Sequence, residues 1–479
     1  MSTIATKFCQ LEIEDGGHRY HQDISMQFFG FPQLFNQNTP NTSDRRSSYL
    51  NSPLKTRITP VSEYSDLILS VLPPRELTDA LVKGYFTVIP FNRFLVNKDS
   101  FYIEYDKFWS ASAIDPFFLA LLFAMVSMPT EISKEEARTA DGRQKSYKKR
   151  LSDASTECLK RGKYMKHYCL KGLQAMLLNQ FNFWLNSKGI DFPASIAHGL
   201  GLHRDPTNIN GLEESEFEFR RRLWCVVLIF DVHFSWLEGL PLHVVPAETD
   251  TLAPTYSPHV DGDTDTARKH FKYTILLYHV LQVWASIHQS TRALKPPGYE
   301  KVQHTQHYIW QVDSAAAQLL KIDENEPDAW ILWEACSMES AICRAQLTLH
   351  LSHISTHPES KQLALNAAIR SLRCFFTING HRSEDLETYK WRGYWWMIRG
   401  VLIATLLSAL LVTSEKLPEE EEVWELIHGT HEILRLEEMK CHLGRDIRIL
   451  DVIERLRLDR LVNYDLIKDI EWEWVQSFQ

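Results

Sequence analysis

Apolar residues recur at steps of three and four along most of the chain after Leu72. This spacing places them on one face of an α-helix, which buries that face against its neighbours. Ser215 and Glu218 have the spacing of a capping box, which predicts a helix start at this point. In the run that follows, between residues 214 and 236, the apolar face consists of Phe219, Leu223, Val226, Val227, Phe230 and Phe234.

The same periodicity predicts helices along most of the chain. Strand patterns with hairpin dipeptides are nearly absent, so we predict an all-α fold, a large helical bundle or array. The predicted helical ranges are 76–86, 116–128, 164–185, 214–236, 267–288, 308–322, 330–354, 361–378, 389–412, 420–434 and 445–461.

Composition divides the chain into three parts. Residues 1–65 are polar and turn-rich, which predicts a mostly disordered arm. Residues 66–465 form the predicted all-α domain, and a length of 479 residues allows one large domain or two packed ones. In the tail, 466–479, acids alternate with Trp472 and Trp474. That composition is typical of activation segments, and it equally suits a tail that docks its tryptophans on the domain.

Charge and cysteine usage narrow the class of protein. The net charge of −9 argues against a broad phosphate-binding surface, because affinity for nucleic acid comes mainly from Lys and Arg. The eight cysteines include no C-x-x-C pair, so we expect reduced core thiols in a nuclear or cytosolic protein. The first ten residues lack the pattern of a secretory signal.

A basic run lies between predicted helices. It predicts either a nuclear import signal or a solvated helix start. Its basic residues are Arg143, Lys145, Lys148, Lys149 and Arg150.

Other charged residues favour structural roles. Successive helical residues point about 100° apart, so Arg220, Arg221 and Arg222 cannot form one flat basic face. We expect some to be solvated and others to pair with Glu213, Glu216 or Asp231. Asp231 lies in an apolar run and needs a partner, for which Arg204 or His203 is the candidate.

Candidate sites for metal, cofactor or membrane binding are weak. His350, His353 and His357 have helical spacing, but no nearby Asp or Cys completes a ligand set. No dinucleotide, phosphate-loop or nucleophile motif is present. The apolar run 394–412 contains Arg399 and is predicted to be a core helix rather than a membrane span.

The most specific motif lies in the stretch 194–254. It resembles the fungal-specific transcription factor domain, or middle homology region, of fungal zinc-cluster regulators. The matching residues are Gly201, Leu202, His203, Arg204 and Asp205, then Arg220, Arg221, Arg222, Leu223 and Trp224, and finally Asp231, Gly239, Pro241 and Pro254.

The resemblance covers most of residues 72–412 and implies an all-α regulatory domain. It also implies a nuclear location and modulation of transcription, often of a metabolic gene cluster. The chain departs from the family pattern at Cys225, where a second tryptophan is common, and at Leu240, where the family has arginine. The segment between Gln174 and Gly201 is also shorter than usual.

The zinc cluster of these regulators needs six closely spaced cysteines, and the only cysteine before Glu157 is Cys9. We therefore expect a pathway-specific regulator without a metal or cofactor, which works with a DNA-binding partner or by self-association. A small molecule is a further candidate effector. The rival hypothesis is a cyclase- or isomerase-type enzyme, or a small-molecule binder, with an apolar pocket lined by Trp236, Trp284, Trp310 and Trp395.

Overall fold

The structure is a computed structural model, and the fold is all-α. Its helices α1 to α8 precede a short 3₁₀ helix, Pro206–Asn208, and α9 to α15 follow it. The residues that the structure describes are 9–14, 17–22, 59–60, 66–88, 92–110, 113–128, 147–183, 192–209, 212, 214–238, 240–245, 248–293, 298–320, 329–380, 397, 400–409, 411, 420–441 and 450–451.

The helices are numbered in chain order. The first eight are α1 (Asp66–Leu69), α2 (Arg75–Val88), α3 (Asn92–Leu95), α4 (Lys98–Ser110), α5 (Pro116–Val126), α6 (Tyr147–Arg161), α7 (Leu170–Phe183) and α8 (Phe192–Gly199). The others are α9 (Glu214–Glu238), α10 (Pro258–Asp261), α11 (Asp265–Thr291), α12 (Tyr299–Leu319), α13 (Ala329–Leu351), α14 (Pro358–Gly380) and α15 (Glu420–Cys441).

The chain divides into two compact units. The first comprises residues 1–231 and 243–263, and the second comprises 232–242 and 264–479. Helix α9 therefore contributes its residues up to Asp231 to the first unit and its last turns to the second.

Helix α5 is the centre of the first unit. All its residues are buried, and it packs against α2, α6 and α7. It starts at Pro116, which fits the first turn because proline needs no N–H partner there, and the Asp115 carboxylate accepts the Phe117 N–H at 2.9 Å. Ser155 on α6 donates to the Ala120 carbonyl at 2.7 Å. The continuous apolar run of this helix is thus explained by burial on every face.

The second unit is built on the pair α13 and α14, with α11, α12 and α15 packed around it. Its core includes Leu347, Leu372, Phe375, Val423 and Ile427, each at most 1% exposed. Small residues on α14, Ala364, Ala367 and Ala368, are also fully or almost fully buried. Side chains without bulk let neighbouring helices approach closely.

The predicted helices agree with the structure where one face is continuously apolar. Helices α5, α9, α11, α13, α14 and α15 overlap their predicted ranges closely. Helix α12 begins at Tyr299, nine residues before its predicted start at 308, because the polar Gln306 occupies a buried position and interrupts the apolar pattern. Helices α4 and α8 and the short helices α1, α3 and α10 were not predicted, and α6 was anticipated only by the alternative of a helix start at the basic run.

Two short antiparallel strand pairs were not predicted either. Strand β1 (Cys9–Glu14) pairs with β2 (Gly17–Gln22), and β3 (Thr59–Pro60) pairs with β4 (Ala113–Ile114). The signal for the first pair was present in the sequence, since Leu11 and Ile13 alternate with polar residues and Asp-Gly stands between the strands. The rest of the predicted arm, and the tail 466–479, lie outside the described residues.

The apolar run 394–412 is described at residues 397, 400–409 and 411, all helical. Val401, Ala404 and Thr405 are fully buried there, as a core helix requires. Of the helices in the part of the chain that the structure describes, none combines the length and the hydropathy needed to cross a bilayer.

Candidate functional site

The motif residues Gly201 to Asp205 follow helix α8 in the first unit. The Leu202 N–H donates to the Ala197 carbonyl at 3.0 Å, and the Gly201 N–H donates to the His198 carbonyl at 2.9 Å. These two bonds form a Schellman motif, which needs a residue in the left-handed region just past the helix. Gly201 provides it with φ of 71°.

Gly199 has a different role, although it also belongs to the Gly-Leu-Gly segment. A Cβ at this position would lie 2.6 Å from ring carbons of Tyr168, closer than real contacts allow. The absence of a side chain therefore lets Tyr168 pack directly on the end of α8. The two glycines thus serve a turn and a close approach, rather than a dinucleotide.

Asp205 is the centre of the site. Its carboxylate accepts hydrogen bonds from Arg221 Nε and Nη2, both at 2.8 Å, in a bidentate pair. It also accepts the Leu252 N–H at 3.0 Å and caps the 3₁₀ helix through Thr207. Burial raises the pKa of Asp205, but the bonds from Arg221, Thr207 and Leu252 outweigh burial and hold that pKa well below its usual range. The carboxylate is therefore ionised at physiological pH.

Arg222 makes the second buried ion pair. Its guanidinium is 1% exposed and donates to both oxygens of Asp261, at 2.7 and 2.9 Å. Nε donates to Glu218 at 2.9 Å, and Nη2 donates to the Thr255 carbonyl at the same distance. Burial lowers the pKa of Arg222, but the hydrogen bonds and charges of Asp261 and Glu218 outweigh burial, so the pKa is raised overall. Arg222 therefore joins helix α9 to the segment that leads into α10.

Glu218 shows where the capping-box prediction was wrong. Helix α9 begins at Glu214, so Ser215 lies inside it. The Glu218 carboxylate bonds Arg222 and accepts from both the N–H and the hydroxyl of Thr255 at 2.9 Å. The Glu218 side chain, which the capping box assigned to the start of the helix, is instead used in contacts with Arg222 and Thr255.

Arg220 is buried at the other side of the same helix. It is 2% exposed, its Nη1 donates to the Leu200 carbonyl at 3.2 Å, and Glu216 lies 3.6 Å from its Nε. Burial lowers the pKa of Arg220, and Glu216 acts in the opposite direction. Of the acids expected to pair with the three arginines, Glu216 lies next to Arg220, and Glu213 lies outside the described residues. Arg221 and Arg222 pair with Asp205 and Asp261, which were not expected.

His203 packs among rings. Its ring centroid lies 4.8 Å from that of His198 and 6.2 Å from that of Trp224, which is 1% exposed. Burial, together with the nearby His198 and Arg204, lowers the pKa of His203 to about 3. The ring is neutral at physiological pH and serves as a packing group.

Asp231 has partners other than the expected Arg204 or His203. Its carboxylate accepts the N–H groups of His243 and Val244 at 3.0 and 2.8 Å, and it lies 2.8 Å from Nδ1 of the His243 ring. Arg204 lies 3.6 Å from Asp250 instead. A buried carboxylate can be satisfied by backbone donors, which carry no signal in the sequence.

Segment 249–261 supplies the partners that sequence reasoning missed. Thr249 and Thr251 donate to the carbonyls of His203 and Leu202, at 2.9 and 2.7 Å. The Asp250 carboxylate accepts the Asp205 N–H at 2.7 Å. A signal for Asp261 did exist, because a buried arginine such as Arg222 requires an acid and this segment contains one.

In the second unit, Leu240 and Pro241 lie beside α11. The Leu240 carbonyl lies 2.7 Å from His288 Nε2, and the Leu240 side chain is 38% exposed. Pro241 is exposed, and Gly239 lies outside the described residues. Cys225, the other departure from the family pattern, is fully buried in the first unit.

The histidine cluster is arranged for packing in the second unit. His350 has Nδ1 2.9 Å from the Ser360 hydroxyl and Nε2 2.8 Å from the Gln306 carboxamide oxygen. Both ring nitrogens of His350 therefore have hydrogen-bond partners. The ring of His357 stacks on that of Tyr299, with the ring centroids 3.7 Å apart. Among the described residues, no group of three or more His, Cys, Asp or Glu is arranged to hold a metal ion.

The basic run is partly described. Tyr147 to Arg161 form α6, whose first turn contains Lys148, Lys149 and Arg150. Lys149 and Arg150 are exposed. Arg143 and Lys145 lie outside the described residues.

We predict that Gly201→Ala lowers the free energy of unfolding by about 1 kcal/mol or more, because a side chain at positive φ is strained. Gly380→Ala is the matched control, since Gly380 is exposed in the last turn of α14, its φ lies outside the left-handed region, and a Cβ would meet nothing within 4 Å. Denaturant unfolding measures both. Equal effects of the two substitutions would contradict the assignment of Gly201 to the turn.

We predict that Asp205→Asn costs about 2–4 kcal/mol at neutral pH, because it removes the charge of a buried carboxylate and leaves the part-buried Arg221 without its partner. Since the folded-state pKa of Asp205 is depressed, its contribution is complete above the unfolded pKa near 4 and is lost as pH falls below it. The stability gap between wild type and Asp205→Asn should therefore narrow in acid.

Denaturant unfolding at several pH values tests this pH dependence. Arg75→Gln is the control, because that guanidinium is 55% exposed and its carboxylate partners lie 3.8 and 3.9 Å away. We expect it to cost less than about 1 kcal/mol. A gap for Asp205→Asn that does not change with pH would refute the predicted titration.

Comparison with known proteins agrees with the motif. The fungal specific transcription factor domain matches residues 82–321, half of the chain. Transcription factor phm2 of Pyrenochaetopsis sp is 28% identical over 43% of this chain and 30% of its own length. The equisetin cluster transcription factor eqxF of Fusarium heterosporum is 25% identical over 64% of this chain and 49% of its own.

The Zn(2)-C6 fungal-type transcription factor mpsB of Macrophomina phaseolina is 26% identical over 64% of this chain and 45% of its own. The chain thus spans less than half the length of each of these three relatives. The family match includes the end of α8, Asp205 and all three arginines of α9. With its all-α architecture and this motif, the chain belongs to the fungal specific transcription factor domain family.

Proposed function

We propose that this chain is the regulatory part of a pathway-specific transcription regulator, which acts in the nucleus on a metabolic or secondary-metabolite gene cluster. Family membership over residues 82–321 carries the proposal. Relatives named as cluster transcription factors, such as eqxF, support the assignment to a gene cluster. The activity of the whole protein is proposed, since the chain spans less than half of those relatives.

The chemistry of the arginines supports regulation through protein contacts. Phosphate contacts need accessible cations, yet Arg220 and Arg222 are 2% and 1% exposed and Arg221 is 15% exposed in its pair with Asp205. The basic side chains of the motif are therefore used inside the first unit. We propose that DNA is read by a DNA-binding partner or within a self-associated assembly.

The rival hypothesis of an enzyme receives less support from the tryptophans. Trp236 and Trp284 both lie under the Arg344 guanidinium, at 4.4 and 3.6 Å, which makes them part of a buried cation–π cluster in the second unit. Trp310 is 48% exposed on α12. Trp395 lies outside the described residues.

We predict that deletion of the gene lowers transcripts of a set of neighbouring genes, because a cluster-specific regulator controls their expression. Transcript profiling, with the reintroduced wild-type gene as control, measures the effect. Chromatin immunoprecipitation of the tagged chain should recover the promoters of those genes. Unchanged transcripts together with an accumulated metabolic intermediate would refute the regulator and favour the enzyme.

We also propose that the basic run directs nuclear import. Replacing Lys148, Lys149 and Arg150 by alanine in a fluorescent fusion should shift the protein toward the cytosol, because import signals are read through their positive charge. The matched control replaces Arg268, Lys269 and Lys272, three exposed basic residues of α11. Equal distributions of the two variants would refute the import role of this run.

A further inference from the structure

Beyond its first turn, where Glu300 and Lys301 are exposed, helix α12 presents an uncharged face to solvent. Asp313 is the only charged residue between positions 302 and 320, and it pairs with Arg370 on α14 at 2.9 Å. By contrast, the exposed positions of α15 include Glu421, Glu425 and Glu432. Apart from Glu300 and Lys301 in its first turn, this exposed helix carries no fully exposed charge, which is unusual in a chain of which 24% of residues are charged.

The exposed residues of α12 form two neighbouring stripes. Each follows the four- and three-residue steps that keep side chains on one helix face. The first stripe is Gln303, His307, Trp310, Ser314 and Ala317, and the second is His304, Tyr308, Gln311, Ala315 and Gln318.

Two large aromatic side chains stand on this face. Trp310 and Tyr308 are each 48% exposed, whereas Trp224 and Trp284 are 1% and 3% exposed. Aromatic residues are enriched and charged residues are depleted at the centres of protein interfaces. The composition of the face is therefore that of an interface, not that of an ordinary solvated helix.

We propose that this face binds the same face of a second copy of the chain, with the two α12 helices antiparallel about a two-fold axis near Trp310. Net charge favours this occupant. Two copies that each carry −9 repel one another, which favours contact through a surface where neither presents charge. The α12 face meets that requirement, whereas an acidic or basic partner would find no complementary charge on it.

The distribution of side-chain size favours the antiparallel arrangement. Bulky residues occupy the N-terminal half of each stripe, and small residues such as Ser314, Ala315 and Ala317 occupy the C-terminal half. Antiparallel pairing places the bulky half of one helix against the small half of the other, so that both copies make the same contacts. A parallel pair would set bulky against bulky. Such self-complementarity is the property of a two-fold interface.

The size of the face predicts a reversible dimer. Helix α12 has 21 residues, which corresponds to a length of about 30 Å. A single helix face of this length is smaller than the roughly 800 Å² per partner of a standard stable interface. We therefore expect dissociation in the micromolar range. The dimer specifies the surface for the self-association proposed above, so only its biological role rests on the proposed function.

The test is sedimentation velocity of the purified full chain over a range of micromolar concentrations. Wild type should pass from monomer to dimer, and Trp310→Glu should raise the dissociation constant at least about tenfold, because it removes a central aromatic anchor. Ile103→Glu is the matched control: it replaces a residue that is 58% exposed on α4, in the first unit, and should leave the constant unchanged. Circular dichroism verifies that each variant is folded.

A charge-pair experiment tests the position of the two-fold axis. Trp310→Glu and Trp310→Lys should each remain monomeric alone, because like charges meet near the axis. A mixture of the two should dimerise, because Glu of one copy then faces Lys of the other. Rescue in the mixture is not expected for a partner that binds elsewhere.

A monomeric wild type, or a Trp310→Glu variant that dimerises like wild type, would overturn the proposed interface. Failure of the mixture to dimerise would overturn the antiparallel geometry. None of these results affects the transcript experiment. Conversely, unchanged transcripts in the deletion strain would refute the proposed function and leave the dimer standing.

Discussion

The first unit depends on two ion pairs, one buried and one largely buried, that helix α9 makes with the segments flanking it. Arg221 holds Asp205 after α8, and Arg222 holds Asp261 in α10. A buried charge without its partner costs several kcal/mol, so each pair forces the flanking segment into one position. The successive arginines point about 100° apart, which is why one helix can hold two segments on different sides.

Hydrogen bonds to backbone groups fix the same segments that the ion pairs hold. The Asp205 carboxylate accepts the Leu252 N–H, and Arg222 donates to the Thr255 carbonyl, so the segment 249–261 has few ways to rearrange. Asp231 does the same for the turn at His243 and Val244. The three successive arginines suggest a basic surface in the sequence, but in the structure they form contacts within the first unit.

The second unit stabilises its helices in a different manner. Its core is largely apolar, and its buried Arg344 lies against the faces of Trp236 and Trp284. Cations over aromatic faces gain from the ring quadrupole while the rings bury large areas. Helix α12 completes this unit with one buried face and one uncharged exposed face, so it carries both a structural and a proposed binding role. The apolar pattern of this helix is interrupted, because its inward positions include Gln306.

The amino-acid sequence by itself determined the all-α class, the strongly periodic helices and the family motif, because hydrophobic spacing and glycine requirements are local properties. It also placed Arg220, Arg221 and Arg222 on one helix with different directions. Only the tertiary structure decided their partners, since Asp205 and Asp261 lie 16 and 39 positions away along the chain. Backbone donors such as the Val244 N–H are identical in every residue, so no sequence pattern could assign them to Asp231. The exposed face of α12 was likewise decided by packing. The buried position of the polar Gln306 interrupts the apolar pattern, so the sequence did not indicate where this helix begins or which of its sides faces solvent.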